Sequence, residues 1–383
     1  VPLVRVAALL AALVVASCAA IPNRVSYTLA DQEAATVDGM PADIRVWADA
    51  PPEAFTGILG HIRADRKVDG RAPTLLALSG GADDGAYGAG FLSGWSETGR
   101  RPEFTIVSGI STGALIAPYA FLGPAYDGEL GRLFTTIDSR DIFIFRGLRG
   151  LLGESIADSA PLREIVDRQV TPKLLAAIAA EHRKGRRLLV ATTNLDAQRT
   201  VIWDMGAIAS VGTPRALEVF RKVLLGSASV PAIFPPVFID ARSPNGRFNE
   251  LHVDGGATVQ VFTLPPSVLI SRATATALPG TAIYMIINNS LAPSFEVVRA
   301  STLPIAGRSF STLIKSSARQ TVIETYDFTT ERKIAFNLTF IGSDFTYPYG
   351  KPFDKAYMNA LYEYGVARGR SGEGWLQAPP FSQ

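Results

Sequence analysis

Phe104-Thr105-Ile106-Val107-Ser108-Gly109-Ile110-Ser111-Thr112-Gly113-Ala114-Leu115-Ile116-Ala117 reads as a short apolar strand, a turn holding one serine between two glycines, and the start of an apolar helix. Gly109 and Gly113 let the strand and helix close on each other, so the Ser111 hydroxyl is presented at a sharp elbow. The amides at the start of the helix can stabilise a nearby negative charge. Such a five-residue turn is common by itself, and its companions give it weight. Upstream, the buried-strand run Thr74-Leu75-Leu76-Ala77-Leu78 ends in the glycine-rich Gly80-Gly81-Ala82-Asp83-Asp84-Gly85. Downstream, His252-Val253 leads into the tight turn Asp254-Gly255-Gly256.

Outward from the elbow, strand-like and helix-like runs alternate. Tyr87 to Trp95 predicts a helix packed close to the strand before it through Gly85, Gly88, Ala89 and Gly90. Helical patterns follow near 114–122 and 161–184, then strands at Arg187 to Thr193 and Thr200 to Trp203, and a helix at Ala216 to Leu225. Ser227-Ala228-Ser229-Val230-Pro231-Ala232-Ile233-Phe234-Pro235-Pro236 reads as a proline-punctuated loop. Further on come a strand at Thr281 to Asn288, a long helix at Arg308 to Asp327, a strand at Ala335 to Ile341, and a helix at about 353–366. This alternation predicts an α/β fold, a three-layer α/β/α arrangement whose central sheet is mostly parallel and covered on both faces. Residues 18–72, with Pro22, Pro41, Pro51 and Pro52 and one strand candidate at Ile44 to Trp47, read as a spacer and edge element. The expected catalytic core spans 73–290, with 291–383 packed on it as a helix and strand extension.

A chain of 383 residues with 47% hydrophobic content has enough apolar material for a large core. Lysine plus arginine (37) nearly balance aspartate plus glutamate (35), so the electrostatic field that dominates nucleic-acid binding is lacking. Arg5, the apolar run Val6 to Val15 and Ala16-Ser17-Cys18 read as a secretory signal over residues 1–17, too short to span a membrane. Cys18 is the sole cysteine, so no intramolecular disulfide forms. Val15-Ala16-Ser17-Cys18 resembles a bacterial lipobox, which implies lipidation of Cys18 and tethering to a membrane in the cell envelope. Ala19, where an acidic residue would resemble an inner-membrane retention signal, favours the outer membrane.

A serine hydroxyl becomes an effective nucleophile only beside a base and near donors for the oxyanion that forms on attack. Backbone amides of Gly80, Gly81 and Ala82, with the amide of Thr112, can supply the donors. His61, His182 and His252 are the only histidines. A triad in the order serine, acid, histidine would need His182 or His252 as base. Asp254 offers a second solution, a carboxylate held rigidly in its Asp-Gly-Gly turn. Asp83 and Asp84 are too few ligands for a calcium or magnesium site and are expected to interact with the following helix N-terminus. No metal or organic cofactor is expected.

The ordered set of strand and Gly-Gly loop, Gly-Ile-Ser-Thr-Gly elbow, proline-rich segment and Asp-Gly-Gly resembles the patatin-like phospholipases over roughly residues 73–290. That resemblance implies a patatin-like fold and a Ser-Asp dyad: Ser111 attacks an acyl ester of a lipid, Asp254 accepts its proton, and the Gly80 to Ala82 region holds the oxyanion. Gly109, Gly113, Gly255 and Gly256 correspond to the elbow and acid-loop glycines. The family's loop usually continues with a third glycine and then, after one residue, a basic residue; here these positions are Ala82 and Asp84. Carboxylates there repel a phosphate, which favours a neutral glyceride or another acyl ester over a phospholipid. Two alternatives stand beside this reading. One is a non-catalytic lipoprotein that binds an acyl chain or a partner, and the other is a Ser-His-acid esterase using His252. Tyr87, Phe91 and Trp95 are expected in the core, and the C-terminal aromatics Tyr347, Tyr349, Phe353, Tyr357, Tyr362 and Tyr364 are expected to pack against it, with contact to lipid as the alternative. Asn337-Leu338-Thr339 matches a glycosylation pattern only formally, because it lies in a strand-like run.

Overall fold

The structure is a computed structural model that describes residues 24–59, 67–68, 70–145, 155–269, 279–372 and 374–381. The expected signal, Cys18 and His61 lie outside the described residues. In chain order the strands are β1 (Thr36–Val37), β2 (Arg45–Trp47), β3 (Thr74–Leu78), β4 (Ile106–Gly109), β5 (Ile144–Phe145), β6 (Ala157–Asp158), β7 (Arg187–Asn194), β8 (Arg199–Asp204), β9 (Val237–Ser243), β10 (Gly246–Asp254), β11 (Ala282–Ile287) and β12 (Ala335–Phe340). Described helices of seven residues or more are α1 (Gly85–Glu97), α2 (Thr112–Leu122), α3 (Asp127–Thr135), α4 (Ala160–Gln169), α5 (Pro172–Arg183), α6 (Met205–Val211), α7 (Pro214–Ser227), α8 (Thr302–Arg332) and α9 (Lys355–Ser371). None of the described helices is long and apolar enough to cross a membrane.

One ten-stranded sheet organises the chain. Its neighbours β7-β4-β3-β11-β12 are all parallel. Their cores are continuous apolar runs, such as Leu75 to Leu78, because side chains on both faces are buried. To this parallel centre the chain adds an antiparallel wing of β10, β9, β1, β8 and β2. β9 has the half-buried alternation of a strand covered on one face, with Val237, Ile239, Ala241 and Ser243 buried. It turns through Pro244-Asn245 into β10, with Gly246 at φ +144°. The edge reading of the N-terminal segment corresponds to β1 on β9 and β2 on β8.

The helical stretch expected over 161–184 is two helices. Thr171 caps α5 by accepting the Leu174 N–H, and Pro172 occupies the first helical position. There its missing N–H is harmless, whereas in mid-helix it would break the ladder. The elbow helix begins earlier than its apolar run suggested, at Thr112. The helix expected at 353–366 is displaced to α9, because Asp354 caps it by accepting the N–H groups of Ala356 and Tyr357.

Residues beyond 290 belong to the same body as the core: β12 extends the sheet, and α9 lies against α1 with backbones in contact. A Cβ at Gly90 would fall 2.0 Å from the Tyr362 carbonyl oxygen, and one at Gly94 would fall 2.1 Å from that of Val366. Gly90 therefore serves the α1–α9 contact and not, as its position suggested, the strand before the helix. Gly88 does face the sheet, beside Asn288 and Ile286. Tyr87, Phe91 and Trp95 are buried. Gly94→Val is expected to destabilise the protein by about 3 kcal/mol in urea unfolding. Gly307→Ala, in α8 with open space around its Cβ, should be neutral or stabilising by up to about 1 kcal/mol.

Candidate active site

The sheet register brings the two motifs together. β7 pairs with β8 along one edge over Leu189 to Asn194. Its other edge is shared: β4 takes the first half and ends with Gly109 opposite Val190, while β10 takes the second half and ends with Asp254 opposite Thr192. β4 and β10 run in opposite directions, so their C-terminal ends meet. Ser111 leaves one end and Asp254 closes the other.

Ser111 sits at φ 55° and ψ −125°, a conformation that costs a non-glycine residue about 1–3 kcal/mol. The surroundings hold it there. A side chain at Gly109 would collide with the Gly113 carbonyl at 2.3 Å, and one at Gly113 with the Leu78 carbonyl at 2.4 Å. The Ser111 N–H donates to the Ser227 hydroxyl at 3.0 Å, and that hydroxyl donates to the Ala191 carbonyl at 2.7 Å. Ser227 thus ties the elbow to β7. Its side-chain role was missed because the residue reads as the start of a loop, whereas it is the last residue of α7.

Asp254 is anchored through its own N–H, which donates to the Ser229 carbonyl at 2.8 Å. Its Oδ1 accepts the Gly256 N–H at 2.7 Å. The Ser111 hydroxyl is the side chain that favours the charged form of this carboxyl. Burial pushes its pKa up to about 7, against the opposing pull of the Ser111 and Gly256 donors. A carboxylate so desolvated is a far stronger base than an exposed one. Gly255 is needed for close approach, since a Cβ there would lie 2.7 Å from the Ala191 carbonyl.

Opposite the serine runs the glycine-rich loop. Among the described residues, the amides of Gly81, Ala82 and Thr112 have no protein acceptor, so they remain available to a developing oxyanion. Gly80 does not: its N–H donates to the Gln260 carbonyl at 3.1 Å, and its place among the oxyanion donors is corrected. What Gly80 supplies is clearance, because a Cβ there would sit 3.1 Å from the Ser111 Cβ. Gln260 also donates from Nε2 to the Gly256 carbonyl at 2.7 Å, joining the acid loop to the glycine-rich loop. Asn288, wholly buried at the end of β11, donates from Nδ2 to the Ser79 carbonyl and accepts the Gly88 N–H. Gly81 is pressed against it, with room for no Cβ: one would be 2.0 Å from the Asn288 carbonyl oxygen. Neither Gln260 nor Asn288 belongs to a motif, and only the polar residue ending an apolar strand run hints at the second.

His252 shares the β10 face of Asp254 but not its chemistry. Its Nε2 lies 3.0 Å from Glu250 and its Nδ1 2.9 Å from the Thr192 hydroxyl, which accepts the Trp203 indole N–H at 2.8 Å. Glu250 is in turn bound by Arg45 and Gln32. With both ring nitrogens engaged in this fully buried network, and burial lowering its pKa, His252 is no base for Ser111. His182 lies beside Asp204, 3.5 Å away. No group of three or more His, Cys, Asp or Glu among the described residues is placed to hold a metal ion.

From Ser111 an apolar cleft opens between the helices. Leu115 of α2, Leu133 of α3, Ile165 and Val166 of α4, Leu174 of α5 and Leu224 of α7 line it, with Val230 and Phe234 of the proline-rich segment. A narrow, almost wholly apolar space beginning at a nucleophile and an oxyanion cradle fits a hydrocarbon chain.

The buried carboxylate has a consequence for stability. Its folded pKa of about 7 exceeds the ordinary value, so the folded state binds more protons between about pH 4 and 7 and the wild type loses stability as pH rises through that window. Asp254→Asn removes this loss. Its melting temperature is expected to equal or exceed that of wild type at pH 8, with the advantage shrinking below pH 6.

Two solved structures resemble the chain weakly. One is VipD from Legionella pneumophila, at 12% identity and TM-score 0.37, over 78% of this chain and 67% of that one. The other is the type III effector protein ExoU, at 12% identity and TM-score 0.28, over 80% of this chain and 55% of that one. No curated protein sequence matches significantly. Residues 76–264 match the family described as Patatin-like phospholipase, a span that contains the glycine-rich loop, the Ser111 elbow and Asp254. This match supports lipid acyl hydrolase activity in general, and it identifies residues 76–264 as a patatin-like phospholipase domain.

Proposed function

We propose that this protein hydrolyses carboxylic esters of lipids through an acyl-enzyme on Ser111, with Asp254 as the base. The observation that carries the reading is the juxtaposition of a strained serine and a buried carboxylate at the entrance of an apolar cavity. Ser111 Oγ attacks the ester carbonyl carbon while its proton passes to Asp254. The negative charge that develops on the carbonyl oxygen is received by the free amides of Gly81, Ala82 and Thr112. Collapse of the tetrahedral species breaks the ester bond, and the departing alcohol takes the proton from Asp254. Water then attacks the acyl-serine, gives a proton to Asp254, and the fatty acid leaves as Ser111 recovers its hydroxyl.

The acyl chain occupies the cavity, and the headgroup stays outside. Asp83 and Asp84 in the oxyanion loop disfavour a phosphate beside it, so a neutral glyceride or another uncharged acyl ester is the proposed substrate. Lipidation of Cys18 would hold the enzyme at a membrane of the cell envelope, the outer membrane by the residue that follows it, where such esters are concentrated.

The test is hydrolysis of p-nitrophenyl esters by wild type, Ser111→Ala and Asp254→Asn. Both variants are expected to fall by at least about a thousandfold. Because Asp254 acts in its ionised form, wild-type kcat/KM should rise about tenfold per pH unit below its midpoint near 7 and level off above it. An inert wild type, or an active Asp254→Asn, would sink the mechanism. Val166→Phe, which narrows the cavity, is expected to lower the ratio of long-chain to short-chain ester turnover about tenfold; an unchanged ratio places the acyl chain elsewhere.

A further inference from the structure

Asp83 and Asp84 do more than alter the charge of the loop. The Asp83 Oδ2 accepts the Phe353 N–H at 2.8 Å, and the Tyr349 hydroxyl favours the charged form of the same carboxylate. Asp84 Oδ1 accepts the Tyr357 hydroxyl at 2.6 Å. The Tyr349 ring stands edge-on to that of Tyr357, with centroids 5.0 Å apart. Phe353 is held in the left-handed region at φ 54°, and its ring lines the same cavity as Ser111. A stretch from the far end of the chain is thus fastened to the loop that carries the free amides of Gly81 and Ala82.

The fastening matters because of how that loop is otherwise held. Gly80 is fixed by Gln260, and Gly81 is packed against Asn288. Beyond them Ala82 is exposed and at φ 51°, a backbone shape that persists only where neighbours impose it. Among the described residues, the hydrogen-bond partners of the Asp83 and Asp84 carboxylates are Phe353 and Tyr357, both within the segment Tyr349 to Tyr357. Oxyanion donors displaced by even about 0.5 Å lose much of their effect.

We propose that the segment from Tyr349 to Tyr357 is a clasp that sets the oxyanion amides opposite Ser111, with Asp84 and Tyr357 as positioning residues for the reaction. This rests on the acyl-enzyme reading above. At position 84 the clasp uses an acceptor, where a basic side chain would be unable to accept the Tyr357 hydroxyl. Replacing the basic position by Asp84 therefore exchanges a cation beside the substrate for a tie to the C-terminal segment.

The decisive comparison is Tyr357→Phe and Asp84→Ala, which remove the hydroxyl–carboxylate bond, against Asp84→Asn, whose amide oxygen still accepts it. On p-nitrophenyl butyrate the first two are expected to lower kcat about tenfold and leave KM within about twofold, and Asp84→Asn to keep a third or more of the wild-type kcat. Amide hydrogen exchange over Gly81 to Gly85 should quicken in Tyr357→Phe. Unchanged kcat in Tyr357→Phe and Asp84→Ala overturns the clasp while wild-type turnover upholds the hydrolase reading, and so does quickened exchange with unchanged kcat. Asp84→Asn falling as far as Asp84→Ala also overturns it, because charge and not the hydrogen bond would then be at work. A wild type without esterase activity overturns the hydrolase reading and the positioning role with it.

Discussion

Everything in the site depends on one edge of β7 being divided between two strands that approach from opposite directions. β4 stops at Gly109 and β10 stops at Asp254, two positions apart along β7. That meeting point converts two motifs far apart in sequence into neighbours. It also supplies rigidity, since both strands leading to the pair are held in sheet ladders and the Ile110 N–H, between β4 and Ser111, donates to the Leu78 carbonyl of β3. Ser227 secures the elbow to Ala191 of β7, and Ser229 secures Asp254. Strain at Ser111 survives because the glycines on either side allow no looser path between Leu78 and α2.

The second constraint is electrostatic. A carboxylate with few donors and no cation beside it, closed off from water, is costly to ionise, and that cost makes it a base. Glu250 is the contrast on the same strand: Arg45 and His252 hold it well below the usual carboxylate range despite equal burial. Two acids on one face of β10 therefore take different roles, set by their neighbours. Glu250 with Arg45 and His252 stabilises the wing, and Asp254 is left poised toward Ser111. The histidine that tempts a triad assignment is the partner of the wrong acid.

What was legible in the sequence follows the physics of each element. Buried parallel strands are continuous apolar runs, so β3, β4, β7 and β11 were plain, and the glycines at the elbow reported the close approach they permit. β9 was not seen, because its alternate residues Asp240 and Arg242 break the apolar run that marked the other strands. Gly90 was legible as a close-packing position and Gly94 was not, and their partner, α9, lies some 270 residues away, where pattern alone does not name it. Gly80 failed as an oxyanion donor for a related reason: the acceptor that takes its amide, Gln260, comes from another loop. The apolar cavity was also invisible, since its lining comes from helices whose inward faces look like ordinary core. The C-terminal aromatics divide: Phe353, Tyr362 and Tyr364 pack against the core and Tyr357 is bound to Asp84, whereas Tyr347 and Tyr349 are exposed, against the expectation.

The central claim is that Asp254, with no histidine, activates Ser111. It is tested most directly by the rate at which an alkyl phosphonate labels the protein, followed by peptide mass spectrometry across pH 5 to 9 in wild type, Asp254→Asn and His252→Gln. The account predicts labelling at Ser111 alone, a rate rising to a plateau with a midpoint near 7, near-total loss in Asp254→Asn, and retention of the profile in folded His252→Gln. Labelling that survives in Asp254→Asn and vanishes in a folded His252→Gln would contradict it.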